Sequence, residues 1–403
     1  MIATVDAEQE RTVAMLERWV NQNSGTMNFA GVKAVGDMVR AELEPLGFKV
    51  EWIDMRAANR SGHLVARRKG KGKKLLLIGH LDTVFELDSP FQRWNRRGNL
   101  GEGPGAGDDK GGMAVIVAAL RAMNAAGTLR QADITVFLTG DEEDSGPVEI
   151  ARRDLIAEGR RADVALDFEG LVQLAGQDMG STARRSSDEW TLTVTARSGH
   201  SSGIFTPGAG SGAIYEAARI IDTFRREVPE DKLTFNVGLI GGGATAELAQ
   251  DRIRVTATGK TNIIPGTTIA RGDMRAISPE QIARAQAKMR AIVARPLSGA
   301  SATIEFLPDG YPPMAPTAGN RALLTRLNAV NRDIGLAEQG ELDPVRRGAG
   351  DISFVARDVD GLAGMGAASS GDHAPGEKVD IGSIFKQAKR AALLMSRIAR
   401  ERR

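Results

Sequence analysis

Short apolar runs alternate with longer amphipathic stretches along the first part of the chain. The runs 75–78, 134–138 and 164–168 are apolar at successive positions, which is typical of strands that are covered on both faces. Strands are also predicted at 48–53 and 63–66, and helices at 32–43, 111–123 and 384–400. This alternation predicts an α/β domain with a doubly wound, mixed sheet.

A different pattern begins near residue 187. Strands are predicted at 190–196, 234–240, 253–261, 268–275 and 302–307, and helices at 212–226 and 279–294. This β-α-β-β-α-β-like order indicates a small, ferredoxin-like α+β domain inserted into the first one. We therefore predict a catalytic domain of residues 1–186 and 308–403 and an inserted domain of residues 187–307.

Composition narrows the class of protein. The 403 residues suffice for two domains with real cores, and the near balance of 53 basic and 51 acidic residues gives no reason to expect nucleic acid as a partner. The absence of cysteine excludes thiolate chemistry. No stretch has the ~18 apolar residues of a membrane span, and the first residues do not form a leader. We expect a soluble protein, cytoplasmic unless a removed leader made it periplasmic or secreted.

Side chains with hard donor atoms follow the predicted buried strands. They lie in four motifs, Gly79-His80-Leu81-Asp82, Gly107-Asp108-Asp109-Lys110-Gly111-Gly112, Asp141-Glu142-Glu143 and Gly371-Asp372-His373. Because the carboxyl ends of the strands in an α/β sheet meet at one crevice, these donors are expected to converge there. Imidazole and carboxylate donors of this kind predict a two-metal hydrolase.

These motifs resemble the M20 metallopeptidase family, most closely its glutamate carboxypeptidase branch, over essentially the whole chain. Three further stretches carry the resemblance, Asp167-Phe168-Glu169, Gly199-His200-Ser201 and Asn262-Ile263-Ile264-Pro265. The resemblance implies two Zn²⁺ per subunit, with Co²⁺ or Mn²⁺ as possible substitutes. It implies that one ion is bound by His80, Asp108 and Glu169, and the other by Asp108, Glu143 and His373.

Other roles follow from the same resemblance. Glu142 would be the general base, and Asp82 would hydrogen-bond the second nitrogen of His80. The peptide bond between Asp108 and the next residue is usually cis in this family. Asp167 is the alternative ligand at this position. We prefer Glu169, because Glu169 aligns with the Phe-Glu of this branch.

The resemblance also extends to the inserted domain. His200 would reach the active site of a partner subunit and stabilise the oxyanion, which implies a homodimer formed through this domain. Asn262 would contact the substrate, and Arg275 would bind its free carboxylate. Four further cations near the predicted domain junctions fit an acidic substrate residue. They are Arg184, Arg185, Arg346 and Arg347. His63 lies in a strand outside any motif and is interpreted as structural.

The predicted function is a carboxypeptidase that removes a C-terminal Glu or Asp by a metal-bound water, with folate-type glutamates and oligo-aspartate both compatible. An aminoacylase-like deacylase of N-acyl amino acids is the alternative enzyme. A catalytically silent peptide- or metal-binding relative is the alternative outside the enzymes. The basic run 67–74 is interpreted as a solvated hairpin turn, because it lacks the interleaved aromatic residues of a nucleic-acid site.

Overall fold

A computed structural model describes residues 1–401 of the chain. Within this range the protein has ten α-helices: α1 Ile2–Ala7, α2 Gln9–Asn21, α3 Phe29–Leu43, α4 Lys110–Ala125, α5 Val148–Ala151, α6 Arg153–Gly159, α7 Gly212–Glu227, α8 Pro279–Val293, α9 Ala318–Asp333 and α10 Ile381–Ile398. Sequence signals explain several of their ends. Ser278 caps α8 by accepting the N–H of Gln281, and Pro279 follows it at the first helical position.

The strands of residues 1–401 vary from two to nine residues in length. They are β1 Lys49–Asp54, β2 Gly62–Arg68, β3 Lys74–His80, β4 Asn95–Arg97, β5 Leu100–Glu102, β6 Asp133–Thr139, β7 Val164–Asp167, β8 Val172–Leu174, β9 Gln177–Gly180, β10 Asp188–Ala196, β11 Gly199–His200, β12 Thr234–Phe235, β13 Leu239–Gly243, β14 Thr245–Leu248, β15 Val255–Thr258, β16 Ile263–Ile264, β17 Thr267–Arg275, β18 Ala300–Phe306, β19 Gly340–Glu341, β20 Gly361–Leu362, β21 Ser369–Ser370 and β22 Lys378–Asp380.

The chain divides into two compact units. The first contains Met1–Arg184, Met314–Arg346 and Gly350–Arg403, and the second contains Arg185–Pro313 and Arg347–Ala349. The sequence-based boundaries lie at 186/187 and 307/308, so the two compact units differ from the predicted domains at residues 185–186, 308–313 and 347–349. Residues 309–311 belong to the second unit because Tyr311 and Ser187 exchange backbone hydrogen bonds. Among residues 1–401, no helix combines the length and apolar character needed to cross a bilayer.

The first unit is built on a six-stranded mixed sheet in the order β1-β2-β6-β3-β7-β20. Strands β6, β3, β7 and β20 are parallel, whereas β1 and β2 run antiparallel to their neighbours. Strand β3 is buried at six successive positions, as expected for a strand covered on both faces. The mixed α/β fold is therefore confirmed.

The basic run 67–74 is not a hairpin, and that interpretation was wrong. Both β2 and β3 pair with β6, which lies between them, so the connecting residues cross the start of β6. The N–H of Lys71 donates to the carbonyl oxygen of Gln131 just before that strand. The run 67–74 has the composition of a solvated turn, and no local pattern in it marks β6, which comes much later in the chain.

The second unit has an antiparallel sheet in the order β12-β17-β10-β18, with β13 also paired to β17, and a core shared with α7 and α8. The predicted strand at 234–240 is interrupted. Phe235 pairs with Met274 and Leu239 with Arg271, which leaves one extra residue between them, a bulge. The predicted strand at 253–261 is shorter and pairs with β14 outside this sheet.

Candidate metal centre

The carboxylate of Asp108 lies between two imidazoles in the first unit. Its Oδ1 is 2.9 Å from Nε2 of His80, and its Oδ2 is 3.1 Å from Nε2 of His373. His80 is the last residue of β3, whereas Asp108 and His373 lie 265 residues apart in sequence. Each oxygen of one carboxylate therefore contacts a different histidine, which is the arrangement of a bridging ligand.

The turn after β6 brings Glu142 and Glu143 to the same place. Oε2 of Glu143 is 3.2 Å from Nε2 of His373. The fully buried Asp82 accepts the N–H of Glu142 at 3.0 Å and the N–H of Glu143 at 3.1 Å. Its Oδ1 also lies 3.5 Å from Nδ1 of His80. Asp82 thus holds the turn that carries both glutamates. Nδ1 of His80 lies closer to the backbone oxygen of Asp82, at 3.1 Å, so the predicted hydrogen bond to the Asp82 carboxylate stays a prediction.

Glu169 follows β7 and pairs with a buried arginine. Nη2 of Arg184 is 2.7 Å from Oε2 of Glu169, and Nη1 is 3.0 Å from Oδ2 of Asp167. Gly350 lies against this group, since a Cβ there would come within 2.3 Å of Oε1 of Glu169. Both candidate ligands contact the same guanidinium, so the choice of Glu169 over Asp167 stays a prediction. Arg184, expected to meet an acidic substrate, instead pairs with carboxylates of its own chain.

The peptide bond between Asp108 and Asp109 is cis, as the resemblance implied. Asp109 is fully buried, and its Oδ2 accepts the N–H of His80 at 3.3 Å. The glycines beside it allow this close packing. A Cβ at Gly112 would come within 2.1 Å of Oδ1 of Asp109, and one at Gly79 within 2.5 Å of Oδ2.

Burial and mutual repulsion control the charges of these carboxylates. Burial, followed by the charge of Glu169, raises the pKa of Glu142 well above its usual value. Burial, followed by the charge of Asp108, raises the pKa of Glu143 to about 8. Burial opposes the charge of Asp108 as well, but hydrogen bonds from His373 and His80 hold the pKa of Asp108 well below its usual range. Burial therefore disfavours the charged forms of Glu142 and Glu143, and a bound cation would stabilise those charged forms.

The donors present fit divalent metal ions. One donor atom from each of His80, Asp108 and Glu143 lies within 4.8 Å of the other two. Imidazole nitrogen together with carboxylate oxygen suits Zn²⁺, Co²⁺ or Mn²⁺. The site is a candidate metal centre, and the identity of its ions stays a prediction.

The remaining predicted site residues belong to the second unit. His200 on β11 pairs with Ile263 on β16, and the carbonyl oxygen of Asn262 accepts the N–H of Ser201 at 3.0 Å, so His200 and Asn262 are neighbours. Nδ1 of His200 accepts the N–H of Ser202 at 3.2 Å, which leaves the ring proton on Nε2. Arg275, the last residue of β17, donates from Nε to Oδ2 of Asp273 at 3.2 Å.

Residues 76–397 match the model of peptidase family M20/M25/M40. The chain belongs to this family. It is therefore an M20 metallopeptidase, a hydrolase, as the motifs predicted. The match covers strands β6, β7 and β20 and most of β3, the candidate metal-centre residues from His80 to His373 and the whole second unit, whereas β1 and β2 precede it.

Individual M20 proteins agree with this assignment. Carboxypeptidase G2 of Pseudomonas sp. (strain RS-16) is 27% identical over 399 residues, which cover 96% of this chain and 89% of that protein. Succinyl-diaminopimelate desuccinylase of Azoarcus sp. (strain BH72) is 27% identical over 394 residues, which cover 94% and 95%.

Solved structures show the same fold. Aminopeptidase PepT from Bacillus cereus has a TM-score of 0.77 at 17% identity, covering 97% of this chain and 99% of that one. A dinuclear metal-binding M20 peptidase from Bacillus subtilis has a TM-score of 0.65 at 14% identity, covering 98% and 99%.

Two buried groups of this M20 centre were missed by the sequence analysis. The first is Glu377, whose carboxylate accepts backbone N–H groups of the loop that carries Asp108. The second is Arg152, which is fully buried and donates to Asp141 at 2.6 Å and to Asp351 at 2.7 Å. No local signal in the sequence marks either residue. Glu377 lies in a Gly-Glu-Lys turn and Arg152 directly precedes the short helix α6, and both positions are typical of solvated side chains.

Proposed function

We propose that this M20 metallopeptidase is a dimeric, di-zinc carboxypeptidase that hydrolyses the amide bond before a C-terminal Glu or Asp. The observation that carries the proposal is the position of Asp108, whose two oxygens contact His80 and His373 separately. We assign His80, Asp108 and Glu169 to one Zn²⁺, and Asp108, Glu143 and His373 to the other. When bound, two such ions polarise a carbonyl group and lower the pKa of water.

Glu142 is the proposed general base. Its carboxyl group takes a proton from the attacking water and later delivers it to the leaving nitrogen, the two transfers that amide hydrolysis requires. The turn that carries Glu142 also carries the proposed ligand Glu143, and Asp82 accepts hydrogen bonds from both backbone N–H groups. This shared support favours a base held at a constant position beside the proposed ligand.

The acidic C-terminal residue is proposed from the second unit and from the relatives. The guanidinium of Arg275 suits a bidentate contact with a free carboxylate, and the amide of Asn262, which lies next to His200, would contact another part of the substrate. The similarity to carboxypeptidase G2 supports an exopeptidase of this branch. His200 of the partner subunit would donate its Nε2 proton to the oxyanion of the substrate.

A deacylase of N-acyl amino acids is the second candidate. It is favoured by the succinyl-diaminopimelate desuccinylase that matches 94% of this chain. The same metal centre and the same general base serve both reactions, since each breaks an amide bond beside a carboxylate-bearing amine. Only the group on the acyl side differs.

The deciding experiment is product analysis by mass spectrometry with the zinc-loaded enzyme. The pooled substrates are peptides ending in Glu or Asp, the same peptides as C-terminal amides, folate-type conjugates, oligo-aspartate and N-acyl amino acids. The Glu142→Gln variant serves as the blank. Release of free Glu or Asp from the acids but not from the amides would support the carboxypeptidase.

Each other outcome has a definite meaning. Cleavage of the N-acyl amino acids alone would replace the carboxypeptidase by the deacylase. Equal cleavage of peptide acids and amides would remove the free carboxylate from the specificity. No hydrolysis of any substrate by the zinc-loaded enzyme would overturn the proposal and favour a silent relative.

A further inference from the structure

One buried carboxylate joins the two segments that carry Asp108 and His373. Oε1 of Glu377 accepts the N–H of Gly107 at 2.7 Å and the N–H of Asp108 at 3.0 Å, and Oε2 accepts the N–H of Gly105 at 3.3 Å. The backbone oxygen of Glu377 also accepts the N–H of Gly103 at 3.1 Å. Four hydrogen bonds therefore run from one residue to the loop 103–108.

The other end of this connection is equally fixed. Glu377 is 1% exposed, and its N–H donates to Ala374, directly after His373. The next residue begins β22, which pairs with β5 immediately before the loop 103–108. Glu377 thus connects the turn 371–377 to the loop 103–108 through hydrogen bonds of both its backbone oxygen and its side chain.

We propose that Glu377 is a positioning residue of the metal centre, which sets the separation between the donors Asp108 and His373. The inference rests on the proposed function, in which these two residues bind the same ion. A carboxylate suits the role because it only accepts hydrogen bonds, and because bonds from N–H groups to a charged acceptor are stronger than those to a neutral one. A glutamine at this position would be a poorer partner for the three backbone N–H groups. Its NH₂ group cannot accept their hydrogen bonds, and its neutral oxygen is a weaker acceptor than a carboxylate oxygen.

The test is a comparison of Glu377→Gln with the wild type and with Glu102→Gln. Glu102 is a matched control on β5, since Glu102→Gln removes the same charge from a side chain that pairs with Lys378 at the surface. Zn²⁺ affinity is measured for both equivalents by competition with a chelator. Amide hydrogen exchange is measured over residues 103–109 of the metal-free protein.

We expect Glu377→Gln to lose about 10–100-fold in affinity for at least one ion, the range typical of groups that orient metal ligands. Exchange should be faster at Gly105, Gly107 and Asp108, while the midpoint of thermal unfolding stays close to that of the wild type. Glu102→Gln should match the wild type in all three. A lower midpoint alone, with both affinities unchanged, would make Glu377 merely structural and overturn the proposal.

A second variant covers poor folding of Glu377→Gln. Glu377→Asp keeps the charge but shortens the side chain, so it should also weaken metal binding, and wild-type affinity in this variant would overturn the proposal. Because the titration uses no substrate, it is separate from the product analysis. A wild type that binds two ions but cleaves nothing would reject the carboxypeptidase and leave the positioning role supported.

Discussion

Adjacent carboxylates of the metal centre have different surroundings. Glu142 and Glu143 follow each other on one turn. Oε2 of Glu143 contacts His373, whereas burial, followed by the charge of Glu169, raises the pKa of Glu142. Asp82 accepts a hydrogen bond from each backbone. At the scale of the residue, the environment distinguishes the proposed ligand Glu143 from the proposed base Glu142, although the two side chains are chemically identical.

The first prediction concerns Glu142. Glu142→Gln keeps the size of the side chain and the backbone bond to Asp82, so the protein should still bind two ions. Turnover should fall about 10²–10⁴-fold, because the amide cannot accept the proton of water. The measurements are kcat and metal content, with Glu149→Gln as the control, since Glu149 is exposed on α5. Near-normal turnover would show that Glu142 is not the base.

The site residues differ in how far the sequence revealed them. His80, Asp108, Glu143 and His373 were predicted because each lies in a motif, and the structure brings them together. Glu377 was not predicted, since its three partners are backbone N–H groups about 270 residues away. Almost every residue type has a backbone N–H group, so a sequence pattern cannot predict which of these groups will bind Glu377. The pairing of Arg184 with Glu169 was missed for a related reason, because it depends on how two loops pack.

At the scale of the element, three pieces of the first unit meet at His63. Nδ1 of His63 on β2 accepts the N–H of Gly140 at 3.2 Å, and Nε2 lies 2.8 Å from the carbonyl oxygen of Ala151 on α5. The ring is fully buried. A neutral imidazole with its proton on Nε2 satisfies both contacts, whereas a second ring proton would face the N–H of Gly140. Folding therefore favours neutral His63.

This preference predicts a dependence of stability on pH. Burial lowers the pKa of His63, while the unfolded chain binds its proton near pH 6.5. The contribution of His63 to the free energy of unfolding is present above pH 6.5 and is lost as the pH falls toward the lowered pKa, by at most about 1.4 kcal/mol per pH unit. His63→Gln keeps one acceptor and one donor but does not titrate.

The measurement is urea unfolding of both proteins at several pH values from 7.5 down to about 5. The free energy of unfolding should fall more steeply for the wild type than for His63→Gln. Parallel curves would contradict the assignment of a buried neutral imidazole. An overall offset between the curves is expected and does not enter the comparison.

Elements whose signal is local were predictable from the sequence. The apolar run 75–78 lies within β3, and 134–138 lies within β6, because continuous burial needs apolar residues at every position. Neighbours in the sheet were less predictable. The residues 69–73 join two strands with β6 between them, and that order depends on contacts far along the chain.

At the scale of the whole molecule, the proposed function uses both units. The metal donors belong to the first unit, whereas His200, Asn262 and Arg275 belong to the second. In the proposed homodimer, each active site takes its metal centre from one subunit and His200 from the other. A site shared in this way can be tested by combining two inactive variants.

Glu142→Gln and His200→Ala should each be nearly inactive as homodimers. A heterodimer of the two, isolated through different tags, should recover roughly half of the wild-type activity, because one of its two shared sites is intact. A heterodimer of Glu142→Gln with the wild type is the positive control and should have the same activity. If His200 serves its own subunit, the mixed heterodimer will stay inactive.

The wide sequence separation of the metal donors also constrains the order of events during synthesis. His80, Asp108 and Glu143 leave the ribosome early, but His373 follows only after all of the second unit has been made. Domains generally fold in the order in which they are synthesised. A nascent or prematurely terminated chain therefore lacks the imidazole that meets Asp108 and Glu143, and it cannot complete the centre. If His373 binds metal as proposed, we expect the hydrolase to be inactive while it is being translated.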